Sequence, residues 1–233
     1  MPLPKIDMPL YDLTIPSNGE KLKYRPFTVK EEKIMLMARE SEDPKEIISA
    51  IKQIVSNCIF GAKLDDLALF DLEYIILNIR SRSVDNVIKF EITDPDTEQQ
   101  VPVELDLKNV EIQRNEEHDN VIKISDNYIL YLKYPHIDDF FELLMDENPS
   151  QERQFEILIS CMDKLASEED VYNFKDFSKQ EVDEFVESLN ADTLRDMKKF
   201  FDTIPTARHE IPYVNSNGDE KTFVIQGTQS FFI

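Results

Sequence analysis

Asp43-Pro44-Lys45-Glu46-Ile47-Ile48-Ser49-Ala50-Ile51-Lys52-Gln53-Ile54-Val55-Ser56-Asn57-Cys58-Ile59-Phe60-Gly61 reads as one complete helix with its start and its stop. Asp43 can accept the free amides of a first turn. Pro44 suits the first helical position, where the amide it lacks would have no partner, and Glu46 lies where the helix dipole favours an anion. Ile47, Ile48, Ile51, Ile54, Val55, Cys58 and Ile59 then recur at steps of three and four, which places them on one wide apolar stripe. Gly61 ends the pattern. Such a stripe has to be covered, and the flanking sequence supplies the cover.

Upstream, Thr28 and Glu31 have capping-box spacing, so a helix begins at Thr28, with Phe27 placed to staple onto its first turn. Residues 10–15 and 20–24 alternate apolar and polar types around Ser17-Asn18-Gly19, a hairpin pattern. Residues 1–9 carry three prolines and are expected to be an extended arm. Downstream, Asp71 is positioned to cap a helix over 71–82 that turns Leu72, Ile75, Ile76 and Ile79 inward. Arm, hairpin and three helices make a first unit over residues 1–84.

From Val84 the period changes to two. Val87–Ile92, Val101–Leu107, Val121–Ile124 and Tyr128–Tyr134 predict an antiparallel sheet over 85–134. The turn Asp94-Pro95-Asp96-Thr97-Glu98 has the alternating acids of a calcium loop but neither its glycine nor its distal glutamate, and reads as a solvated hairpin turn. A helical block with a closing hairpin then covers 135–233, either as a separate domain or continuous with the rest. Its helices are expected over 136–147 and 151–165, after a second capping box at Ser178 and Glu181, and after Asn190. Strands at 209–214 and 221–226 flank Asn215-Ser216-Asn217-Gly218-Asp219. The expected fold class is therefore α+β, mostly helical, with an N-terminal hairpin, a central antiparallel sheet and a C-terminal hairpin.

Charge and composition exclude several functions. The formal net charge of -21 opposes a phosphate backbone, since nucleic-acid affinity is mostly counterion release by Lys and Arg; it suits a basic protein partner or simple solubility. No stretch approaches the roughly 20 apolar residues of a membrane span. Met1-Pro2-Leu3-Pro4-Lys5-Ile6-Asp7 lacks the apolar core of a signal peptide, so a cytosolic protein is expected. Cys58 and Cys161 sit on apolar helix faces and read as buried thiols. His118, His136 and His209 have no second ligand at metal spacing, and four glycines cannot build a phosphate cradle. The acid pairs Asp65-Asp66, Glu116-Glu117 and Asp138-Asp139 are sequence neighbours that point apart in a helix or strand. No nucleophile has a local activating base, so no enzyme activity, metal or cofactor is expected.

One resemblance remains. Leu3-Pro4-Lys5-Ile6, then Tyr11-Asp12-Leu13-Thr14-Ile15-Pro16-Ser17 with Gly19, then Lys23-Tyr24-Arg25-Pro26-Phe27 followed by Val29-Lys30-Glu31-Glu32-Lys33 form a recognisable series. Glu40-Ser41, Ile51-Lys52-Gln53-Ile54 with Cys58, and Phe70-Asp71-Leu72-Glu73-Tyr74 with Arg80, Ser81 and Ser83-Val84 continue it. These residues resemble the T-even-type phage baseplate hub assembly family, which also tends to close with a hairpin and a Phe-Phe ending, as in Gly227 to Phe232. The resemblance covers most of 2–84, the sheet weakly and the second helical block hardly at all. Paired cysteines that some members carry in the C-terminal hairpin are replaced here by His209 and Asn215-Ser216-Asn217-Gly218, so no zinc is expected.

The resemblance implies a non-enzymatic part in forming the central hub of a contractile-tail baseplate, as a chaperone or as a hub subunit. Its partners would be other hub proteins or the tape-measure protein, met in the host cytoplasm or kept in the virion tail. Extended or apolar termini are ready adhesive elements, so the candidate partner-binding residues are Leu3, Pro4 and Ile6 in the arm, Tyr24, Arg25 and Phe27 beside it, and Phe231 and Phe232 in the tail. The competing readings are an acidic inhibitor of a basic partner and a hydrolase with a dispersed site.

Overall fold

The computed structural model describes residues 6–41, 43–64, 67–83, 86–135 and 150–227. The chain forms two compact units, one from residues 1–113 with 206–233 and one from 114–205, so the second is an insertion in the first.

The first unit begins with β1 (Tyr11–Thr14) and β2 (Lys21–Tyr24), an antiparallel hairpin that buries Leu13 and Leu22 and pairs onward with the two-residue β3 (Ile59–Phe60). Between them run α1 (Val29–Ser41) and α2 (Pro44–Cys58). The Asp43 carboxylate accepts the Lys45 amide at 2.9 Å, and Ile51, Ile54, Val55 and Cys58 of α2 are buried. The third helix, α3 (Leu69–Ser81), is central: Leu69, Phe70, Leu72, Ile75, Ile76, Leu77 and Ile79 all lie inside. It starts two residues before Asp71, which therefore reaches back from the third helical position to the Ala68 amide at 2.9 Å.

Two separate sheets complete this unit. Among the described residues β4 (Val87–Thr93) and β5 (Gln100–Asp106) pair only with each other, while β6 (Glu111–Gln113) adds to the hairpin of β11 (Thr206–Val214) and β12 (Glu220–Gln226). Leu77 packs among Ile92, Val103 and Leu105 from one sheet and Ala207, Ile211 and Ile225 from the other.

In the second unit β7 (Val121–Lys123), β8 (Ile129–Leu132), β9 (Met162–Ala166) and β10 (Val171–Asn173) form one antiparallel sheet in the order β10-β9-β8-β7. Ile122, Leu130, Leu165 and Tyr172 stand opposite one another along one face. That face is packed by α4 (Gln151–Ser160), α5 (Lys179–Glu187) and α6 (Ala191–Asp202), with Leu158, Met197 and Phe200 buried in a core shared with Leu130 and Leu132. Among the described residues no helix is long and apolar enough to cross a membrane.

The expected mostly helical fold with one central sheet is corrected. Beside six helices the described residues hold twelve strands in four sheets, and the protein is α+β without a helical majority. The helix expected over 151–165 stops at Ser160, and Met162–Ala166 is a strand. A β-bulge explains the misreading: Tyr131 faces Lys164 and Leu132 faces Met162, leaving Asp163 as an extra residue. The extra residue resets the alternation, so Met162 and Leu165, three apart as on a helix, both face the core. The expected sheet over 85–134 divides three ways, with β4–β5 alone, β6 on the C-terminal hairpin and β7–β8 on β9. The helix expected over 136–147 lies outside the described residues.

Candidate functional site

The residues singled out at the entrance to α1 fold inward. Tyr24 closes β2 opposite Tyr11 and Ile59 and is 3% exposed, its ring 5.5 Å from that of Tyr11. Arg25 donates its backbone N–H to the Cys58 carbonyl at 2.9 Å, which ties the strand to the end of α2. Its guanidinium grips Glu31 through both terminal nitrogens, at 3.0 Å and 3.2 Å, and donates to the Pro26 carbonyl at 3.0 Å. Glu31 has no exposed surface; it also accepts the Thr28 amide at 2.9 Å and the Thr28 hydroxyl.

Burial alone would raise the Glu31 carboxyl, but the hydrogen bonds from Arg25 and Thr28 and the arginine charge outweigh it and hold it at about 2. The hydrogen bond to Glu31 raises Arg25 in turn. Burial pushes the Cys58 thiol up to about 11, which keeps it protonated and unreactive at neutral pH. Phe27 is buried, and its amide donates to Ser83 Oγ at 2.6 Å. Tyr24, Arg25 and Phe27 thus come together as a support under α1. Ile6 stands in solvent, 89% exposed, and Leu3, Pro4, Phe231 and Phe232 lie outside the described residues.

What that support presents is the outer face of α1. Val29, Leu36 and Met37 are 74%, 50% and 70% exposed and follow one another, with Lys33 and Glu40, at helical steps of three and four. Glu31 and Ala38 occupy the buried side, with Ile34 and Met35 half-buried. Single exposed apolar residues are ordinary; a run of them on one face of a braced helix makes that face a candidate contact surface. The sequence signal was Ile34-Met35-Leu36-Met37, since four consecutive apolar residues span more than one helical turn and cannot all face inward.

The buried acids elsewhere hold the fold together. The Asp71 carboxylate accepts the Ser17 amide at 2.9 Å, linking the first hairpin turn to α3, and Glu73 accepts the Ala207 amide at 2.9 Å, linking α3 to β11. Asp94, fully buried in the β4–β5 turn, accepts the Thr97 amide and hydroxyl, each at 2.9 Å, and the Tyr213 hydroxyl at 2.8 Å. Burial would raise this carboxyl; the bonds from Tyr213 and Thr97 and the nearby Lys221 ammonium hold it well below the usual carboxylate range. The turn that resembled a calcium loop therefore points its first acid at protein donors. Among the described residues no group of three or more His, Cys, Asp or Glu side chains could hold a metal ion.

The second unit contains one polar cluster that sequence spacing did not reveal. His118 stacks on Tyr134 at 5.7 Å and on Phe200 at 5.1 Å, with Nδ1 3.0 Å from Thr203 Oγ1 and Nε2 3.1 Å from the Tyr134 hydroxyl. Thr203 donates its own proton to the Lys199 carbonyl at 2.7 Å, so it accepts from Nδ1–H and the Tyr134 hydroxyl donates to Nε2. Burial lowers the His118 pKa, in keeping with this neutral ring. Both ring nitrogens are engaged, so the histidine is an anchor between α6 and the chain that enters the unit.

The described site is thus a helix with an exposed apolar face, braced from behind by the Arg25–Glu31 pair, and the buried acids Asp71, Glu73 and Asp94 are engaged by structural donors. Over residues 8–233 the chain matches the family described as T4 bacteriophage base plate protein. The chain belongs to that family. The match spans both units, well beyond the resemblance carried by residues 2–84, and it makes this a phage base plate protein whose contacts are with other phage structural proteins. No curated protein and no solved structure matches the chain.

Proposed function

We propose that this base plate protein acts without catalysis in forming the central hub, as an assembly factor that covers apolar surface on a hub or tape-measure protein in the host cytoplasm. The observation that carries the reading is the outward stripe of Val29, Leu36 and Met37 on α1, held by the Arg25–Glu31 pair beneath it. The net charge of -21 supports it, because a strongly acidic surface keeps such a stripe from self-association while favouring a basic client. The arm residues Leu3, Pro4 and Ile6 and the tail residues Phe231 and Phe232 are proposed as further contact residues on the sequence argument alone.

Mass spectrometry of purified mature tails beside tail intermediates tests the role. Presence in intermediates alone is the expected result; stoichiometric presence in mature tails overturns the assembly-factor reading in favour of a hub subunit. The stripe is tested by Leu36→Asp with Met37→Asp. Substitutions at such exposed positions change stability by about 0.5 kcal/mol or less each. Truncating apolar anchors at a contact weakens binding by about tenfold or more. We expect hub formation in complementation to fall by that larger factor with the melting curve nearly unchanged, and unimpaired hub formation would remove α1 from the contact.

A further inference from the structure

We infer that the second unit carries a docking groove for an extended peptide segment of a partner protein in which aromatic or aliphatic side chains lie beside carboxylates. Two adjoining cavities, of about 440 and 450 Å³, share Phe174, Phe177 and Val182 as a common wall. Each falls within the range of roughly 300–1,000 Å³ typical of ligand pockets.

Their linings differ in chemistry. One lobe is carbon, closed by Ile124, Leu165 and Phe185 and flanked by Tyr128 and Tyr172. Its one acid among the described residues, Glu181, accepts the Ser178 amide at 2.8 Å and the Ser178 hydroxyl at 2.7 Å as the cap of α5. The other lobe is rimmed by Lys133, Lys175 and Lys179, all exposed. Among the described residues no carboxylate pairs with any of the three lysines. Of the two acids that the described residues place on that rim, Glu156 is paired with Arg153 at 3.2 Å, and Asp183 stands beside the three lysines. In a chain of net charge -21, a locally cationic edge beside an apolar trough is a specific feature.

The walls are set in advance. Phe174 and Phe185 lie 5.5 Å apart and Tyr172 and Phe177 lie 6.4 Å apart, so binding orders little that is loose. Tyr128, Tyr172 and Phe177 are 40%, 38% and 41% exposed, which makes this an open trough suited to successive side chains and unlike the enclosed tunnel that a single acyl chain needs. Polarity fixes direction: apolar side chains enter between Tyr128 and Tyr172, and carboxylates follow at the lysine rim. The inference does not depend on the hub reading.

Fluorescence anisotropy with the full chain tests it, using a labelled decapeptide of two phenylalanines and a leucine followed by three aspartates, and its twin with asparagines in place of the aspartates. We expect the aspartate peptide to bind about fivefold tighter at low salt, with the preference fading at high salt, as partly exposed ion pairs do. Lys175→Glu with Lys179→Glu should erase the preference while leaving the asparagine peptide unaffected, and Phe177→Ala should weaken both peptides. Circular dichroism confirms that the variants fold. Three results overturn the proposal: equal or absent binding of the two peptides, displacement of the aspartate peptide by micromolar decanoate, which assigns the trough to an acyl chain, or self-association abolished by Phe177→Ala, which assigns it to a second copy.

Discussion

Replacing Glu31 by Gln is expected to cost about 3 kcal/mol of stability, near the lower end of the range for breaking a buried ion pair. The reasons lie in the asymmetry of the pair. Glu31 is fully enclosed and Arg25 keeps 19% of its side chain exposed, so the variant leaves a guanidinium that is partly solvated, which moderates the loss. The carboxylate also satisfies the Thr28 amide, and a glutamine can keep one such acceptor contact but cannot meet both guanidinium nitrogens and Thr28 together. Urea unfolding at pH 7 measures the difference. A loss below 0.5 kcal/mol would show that the pair only replaces hydration of equal strength.

The same residue sets a pH signature. Its folded carboxyl lies at about 2 against an ordinary 4.5, so the ionised form is the one that folding favours. That contribution is complete above pH 4.5 and is lost as pH falls through the folded value near 2. The parent and Glu31→Gln should therefore differ most at neutral pH and converge as pH falls toward 2. Asp94, also depressed, adds acid sensitivity to both proteins and leaves their difference unaffected.

Elements with strong local codes were legible in the sequence. Helix α2 follows Asp43 and Pro44, and Ser178 with Glu181 forms the capping box before α5, with the Ser178 amide 2.8 Å from the carboxylate. The short strands β3, β6 and β10 were not legible: two or three residues display no period, and each exists because a longer neighbour offers an edge, whereas the equally short β7 was visible within the strand pattern from Val121 to Ile124. The Asp163 bulge shows a different limit, since an extra residue in a strand imitates helical spacing. At the candidate site, Arg25-Pro26-Phe27 was visible as a distinctive motif, yet direction was not. Phe27 could be read as a staple, and it is buried, but whether Tyr24 faces out or in depends on Tyr11 and Ile59, which arrive from elsewhere in the chain. The His118 cluster was hidden for the same reason, because its partners Tyr134, Phe200 and Thr203 lie on three separate segments.

That cluster carries the other large expected effect. Phe200 is 2% exposed, stacks on both His118 and Tyr134 and packs in the core of the second unit, so Phe200→Ala removes ring contacts and opens a cavity that α6 and β8 cannot readily fill. Such substitutions cost about 3–5 kcal/mol. The loss should be confined. The second unit leaves and rejoins the first through β6 and β11, where Gln113 faces Thr206, so it can open without breaking that ladder. Native-state hydrogen exchange reads this directly: amide protection at Leu130, Leu132 and Met197 should fall by about two to four powers of ten, while Ile75, Ile211 and Ile225 keep theirs. An equal fall across both sets would mean that the units unfold as one, and that the core around Phe200 stabilises the whole chain. A fall confined to 114–205 would instead make the inserted unit a separately stable body, able to lose its fold while the first unit keeps the braced face of α1.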